Sequence, residues 1–75
     1  MTIFVFQSIH FVLKAEGYLR KAKINLEIIP TPRHVSSDCG MSIKIKSAEV
    51  EQAKTILSEN GIVFMNYSHL PGLNL

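Results

Sequence analysis

The chain has 75 residues, of which 47% are hydrophobic and 19% charged, with a formal charge of +2 at neutral pH, one cysteine and no tryptophan. That balance excludes intrinsic disorder. The eight Lys and Arg are scattered among acids, without the basic stripe or stacking aromatics of a nucleic-acid module, so no nucleic-acid partner is expected.

A chain this short buries only ~60–65% of the surface its unfolded form exposes, so a single domain over residues 1–75 with one modest core is expected, and pairing into a homodimer would stabilise it. A lone cysteine cannot form an internal disulfide, and the paired cysteines of a small secreted scaffold are missing. Ile3 to Leu13 is mostly apolar, but Gln7, Ser8 and His10 interrupt it, and no basic segment precedes it or cleavage site follows it. It is also too short to span a bilayer. A cytoplasmic protein without membrane attachment is the expectation.

Along the chain, Thr2 to Gln7 contains Ile3-Phe4-Val5-Phe6, an unbroken β-branched and aromatic run expected of a strand buried on both faces. Ser8 is placed to cap a helix. From Ile9 to about Lys23, Val12, Ala15, Leu19 and Ala22 recur at three- and four-residue steps and form one apolar stripe. Glu16 and Arg20, four apart, read as a solvated ion pair. Ile24 to Ile29 alternates, with Ile24, Leu26 and Ile28 on one side and Asn25 and Glu27 on the other. Pro30-Thr31-Pro32 ends that strand, since proline gives no ladder donor.

Met41 to Lys46 alternates again, Met41, Ile43 and Ile45 facing in and Ser42, Lys44 and Lys46 facing water. Ser47 is the expected cap of a second helix, with Glu49 and Glu51 near its positive end and Val50, Ala53, Ile56 and Leu57 on its inner stripe. Asn60-Gly61 is a strong stop. Ile62 to Tyr67 is the last strand, and His69 to Leu75 a tail with a Pro-Gly turn. The order β-α-β-β-α-β predicts an α+β, ferredoxin-like fold, a four-stranded antiparallel sheet with two helices on one face.

One connection breaks the pattern. About eleven residues, Pro30 to Gly40, join strands two and three, where hairpins normally use 2–5. Cys39 lies at its end. A free thiol of pKa ~8.5 is only a few per cent thiolate at neutral pH, and the thiolate is the nucleophile. Arg33 and a protonated His34 are candidates to favour the anion. Ser36, Ser37 and Asp38 form turns readily and can offer N–H groups, and Gly40 permits positive φ or close backbone approach. The Asp38 carboxylate opposes the anion.

Pro32-Arg33-His34-Val35-Ser36-Ser37-Asp38-Cys39-Gly40, followed by an alternating strand, resembles the signature of the selenium/sulfur carrier protein-like family of short bacterial domains. Phe6, Ser8 and His10 before the helix, then Ala15-Glu16 and Leu19 within it, extend the resemblance over nearly the whole chain. Val12 departs from it, a smaller residue such as Ala being expected there. The resemblance implies that Cys39 carries sulfur as a persulfide or selenium as a selenopersulfide. It would pass the atom from a donor such as a cysteine desulfurase to an acceptor enzyme, as an accessory rather than a stand-alone catalyst. Arg33, His34, Ser36, Ser37 and Gly40 would support the anion. Carriage calls for an exposed sulfur and no second thiol to resolve the persulfide, and the chain has no second cysteine.

Blander assignments stand beside these. A lone cysteine is most often a buried, inert, small hydrophobe. His34 also reads as a solvated loop residue, His10 as a helix-start residue and Arg33 as half of a loop-stapling ion pair. No closely spaced Cys or His pair occurs, so no metal or cofactor is expected. Two rival functions remain, a ligand- or protein-binding regulatory module in which Cys39 is incidental, and a thiol redox sensor.

Overall fold

A computed structural model describes residues 2–32, 35 and 39–68. Its elements run β1 (Thr2–Val5), α1 (Ile9–Lys21), β2 (Leu26–Pro30), β3 (Met41–Ile45), a 3-10 turn (Ser47–Glu49), α2 (Val50–Glu59) and β4 (Met65–Ser68). The strands form one antiparallel sheet in the order β2-β3-β1-β4. This is the expected ferredoxin-like arrangement.

The sheet has two faces, and alternation along the strands sorts the side chains between them. On the first, Phe4, Phe6, Ile43 and Ile45 pack with Val12, Ala15 and Leu19 of α1 and Ala53 and Leu57 of α2, all buried. Leu26, Ile28 and Phe64 join from the edges, the Phe64 ring stacked on Phe4 at 4.8 Å between centroids. Val12 is fully buried within this cluster, so the larger side chain is accommodated. The Glu16–Arg20 ion pair forms at 2.8 Å on the outer side of α1.

Several local expectations are corrected. Ser8 occupies the N-cap of α1 but makes no side-chain cap bond; its carbonyl accepts from Phe11 and Val12 N–H. Ser47 opens the 3-10 turn rather than α2, whose N-cap is Glu49. The Glu49 carboxylate instead accepts the Asn25 N–H at 3.1 Å, tying the entry of β2 to the entry of α2. β4 begins at Met65, three residues later than expected.

Both helices stop in the same way. Gly61 has φ +70° and donates to the Ser58 carbonyl, while Ile62 N–H reaches back to Leu57. Lys23 has φ +63° and donates to Arg20, while Ile24 N–H reaches back to Leu19. Each is a Schellman motif closed by a buried isoleucine, Ile62 or Ile24. Ile62 is committed to that closure, which is why the strand starts later.

Candidate functional site

The site is built from the two ends of the long connection. Pro30 is the last residue of β2 and pairs with Met41; β2 is an edge strand, where the missing N–H is tolerated. Thr31 lies between two prolines, and Pro32 restricts it to extended backbone. Its N–H donates to the Gly40 carbonyl at 2.9 Å, continuing the β2–β3 ladder by one step. Its hydroxyl donates to the Cys39 carbonyl at 3.0 Å. The same oxygen lies 2.6 Å from Ser42 Oγ. With its single hydrogen engaged by Cys39, Thr31 must accept there, so Ser42 is the donor.

Ser42 is fully buried, which overturns its expected place facing water. Lys44 is also largely covered, with 16% of its side chain exposed, and pairs with Glu27 across the ladder at 3.0 Å. The second sheet face is not bare. Ile3 and Val5 form a cluster there with Val35, flanked by Ile29 and Tyr67. Val35 comes from the middle of the connection, and its N–H donates to the Pro32 carbonyl at 3.0 Å.

Cys39 is buried as well, at 4% exposure, and belongs to the cluster on the helix face with Phe6, Ile43 and Leu57. The connection therefore inserts Val35 into one face of the sheet and Cys39 into the other. Carriage calls for an exposed sulfur, and the structure buries this one, as the blander assignment of a lone cysteine has it. The thiol packs as a small hydrophobe, while Thr31 holds its carbonyl.

Of the other candidates, Arg33, His34, Ser36, Ser37 and Asp38 lie outside the described residues, as do His69 and the tail. Gly40 uses neither freedom expected of it, since its φ is not positive and an added Cβ would meet nothing within 4 Å. His10 is exposed, its ring edge-on to Phe11. Among the described residues no three His, Cys, Asp or Glu side chains gather as metal ligands, and no helix is long and apolar enough to cross a membrane.

Strand register fixes the surroundings of Cys39. Ser42 pairs with Val5, and Val5 with Met65, so the connection, the start of α1 and the approach to β4 share one end of the sheet. The large apolar side chains left exposed among the described residues, Ile9, Leu13, Val63 and Met65, lie on or near that end. Gln7, Phe11, Gly61 and Val63 line a shallow cleft there.

Sequence reasoning missed Thr31 and Ser42 as parts of this site. The available signal was a hydroxyl and N–H confined between two prolines, opposite the residues that follow the cysteine.

Fold and site together define a class, the ferredoxin-like domain with one cysteine at the clamped end of an extended β2–β3 connection. Within that class, the chain belongs to the family described as "Putative Se/S carrier protein-like", whose model matches residues 1–67. The match runs through Cys39 and all but the last residue of β4. Compared with curated proteins and with solved structures, the chain finds no significant match.

Proposed function

We propose that this protein is a single-domain cytoplasmic carrier of sulfur or selenium, holding the atom on Cys39 and passing it from a donor such as a cysteine desulfurase to an acceptor enzyme. The observation that carries the reading is the family match itself, which spans the connection and includes the chain's one sulfur nucleophile.

Loading is a thiolate exchange. The Cys39 thiolate attacks the outer sulfur of a persulfide on the donor enzyme. A new S–S bond forms, the donor's S–S bond breaks, and its electron pair leaves on the donor's thiolate. Delivery mirrors this step, an acceptor nucleophile taking the outer atom while the Cys39 thiolate departs. The transferred atom keeps its oxidation state throughout, so no external reductant enters. With no second cysteine in the chain, intramolecular collapse to a disulfide is closed off. Arg33, His34, Ser36, Ser37 and Gly40 are the proposed supports of the anion. A partner reaching Cys39 would meet the exposed Ile9, Leu13, Val63 and Met65.

Burial of Cys39 in the helix-face cluster counts against this proposal, because carriage calls for an exposed sulfur. A sulfur withdrawn into the core is shielded from cellular thiols that would strip a persulfide, and loading requires that it come out. The same burial favours the rival reading, a binding module in which Cys39 only packs. Incubation with a cysteine desulfurase and cysteine, followed by intact mass spectrometry, separates them. The carrier gains one sulfur atom, and Cys39→Ala gains none. An unmodified wild-type chain after every donor, sulfur or selenium, sinks the carrier and leaves the binding module and the thiol redox sensor.

A further inference from the structure

We infer that Thr31 is a positioning residue for Cys39, its hydroxyl governing how often the buried thiol is presented for reaction. This deepens the carrier reading and rests on it for its biological purpose, but the geometry is independent of that reading. Thr31 joins the residue carrying the sulfur to the body of the sheet through hydrogen bonds. It donates to the Cys39 carbonyl at 3.0 Å and accepts from the fully buried Ser42. Its N–H holds the neighbouring Gly40 carbonyl at 2.9 Å.

A backbone fixed at Cys39 and Gly40 fixes where the Cys39 side chain leaves it, and that direction is into the helix-face cluster. Swinging the sulfur out by rotating the Cys39 backbone breaks the Thr31 hydroxyl bond. The strand ladder beyond, Pro30 with Met41 and Ile29 with Ser42, need not open. Presentation is then a local event, cheaper than unfolding. Ser42 has a supporting part, because its donated bond leaves the Thr31 hydrogen directed at Cys39.

Alkylation of Cys39 by iodoacetamide in the folded protein reads the presented population. In the wild type the rate should depend only weakly on urea below the unfolding transition. A rate that follows global unfolding with its full slope overturns the proposal without any variant. Thr31→Val removes the bond and should speed alkylation about fivefold, the factor of one typical net hydrogen bond; Thr31→Ser should restore the wild-type rate. Because Thr31→Val strands the Ser42 hydroxyl, Thr31→Val with Ser42→Ala is the cleaner variant and should stay equally fast.

Glu49→Ala supplies a chain loosened at the opposite end of the sheet, where its carboxylate accepts the Asn25 N–H, and at low urea its alkylation should match the wild type. Equal rates in the wild type and the double variant overturn the role of Thr31. Sulfur loading by the desulfurase is scored on the same proteins. Faster alkylation with no loading in any of them keeps the Thr31 role and removes the carrier. Loading with rates indifferent to Thr31 does the reverse.

Discussion

The two ends of the sheet are closed by different means. At the far end, α1 passes into β2 through Lys23, Ile24 and Asn25, and the Asn25 N–H is taken by Glu49 at the entry of α2. Each of these three backbone N–H groups is bound by a neighbour along the chain or by one carboxylate. At the near end a helix stop of the same design, at Gly61, stands beside a connection several residues longer than the topology needs. That connection is secured by Thr31 and Ser42 hydroxyls. Turn geometry closes the first end, and side-chain hydrogen bonds hold the second. The second arrangement can be released locally, and it contains the only cysteine.

The largest expected effect erases the distinction between the ends. Leu19 and Leu57 are fully buried, and their carbonyls accept the closing bonds of the far and near helix stops respectively. Leu19→Ala and Leu57→Ala should each destabilise the protein by about 2–5 kcal/mol, through lost transfer energy and the cavity left behind. Both belong to one cluster, so chemical denaturation should show one shared transition in each variant. An end that melts separately in either variant would divide the core in two and defeat the comparison.

How far the sequence exposed all this follows the same division. The helices, their inner stripes and the alternation of β3 were legible, because they depend on periods of 3.6 and 2 that local residues obey. Asn60-Gly61 announced its stop, whereas Lys23 did not, since nothing in a lysine signals positive φ. Ser42 was misplaced because alternation separates the two faces of a strand without saying whether the second is covered. Val35, distant in the chain, covers part of that face. Cys39 was recognised as the distinctive residue from the motif around it. Burial was the commoner reading of a lone cysteine, but the side of the sheet on which it settles was illegible, because that depends on tertiary contacts and on a hydroxyl eight positions earlier.

A smaller effect tests the near helix stop. Gly61 adopts φ +70°, and although an added Cβ would meet nothing within 4 Å, the conformation itself is strained for an L residue. Gly61→Ala should therefore destabilise by about 1 kcal/mol, measured by urea denaturation. In a domain of this size that lowers Tm by roughly 4–8 °C. A neutral result would mean that the turn can relax to negative φ and that the stop is less fixed than its hydrogen bonds indicate.

The smallest effect reverses the sign at the other end. Lys23 is exposed and already occupies φ +63°, so the far stop carries strain that the near one avoids. Left-handed backbone costs a non-glycine residue about 1–2 kcal/mol, while glycine's greater freedom in the unfolded chain returns about 0.4–1 kcal/mol of any gain. Removing a lysine near a helix C-terminus gives up a few tenths more, about 0.3 kcal/mol. Lys23→Gly should accordingly stabilise by roughly 0.5 kcal/mol, a rise in Tm of about 2–4 °C. It makes the two stops chemically alike while leaving Thr31, Cys39 and Ser42 untouched, so Cys39 alkylation at low urea should not change. A slower reaction in Lys23→Gly would show that presentation of the thiol draws on the far end, and that its release is not local.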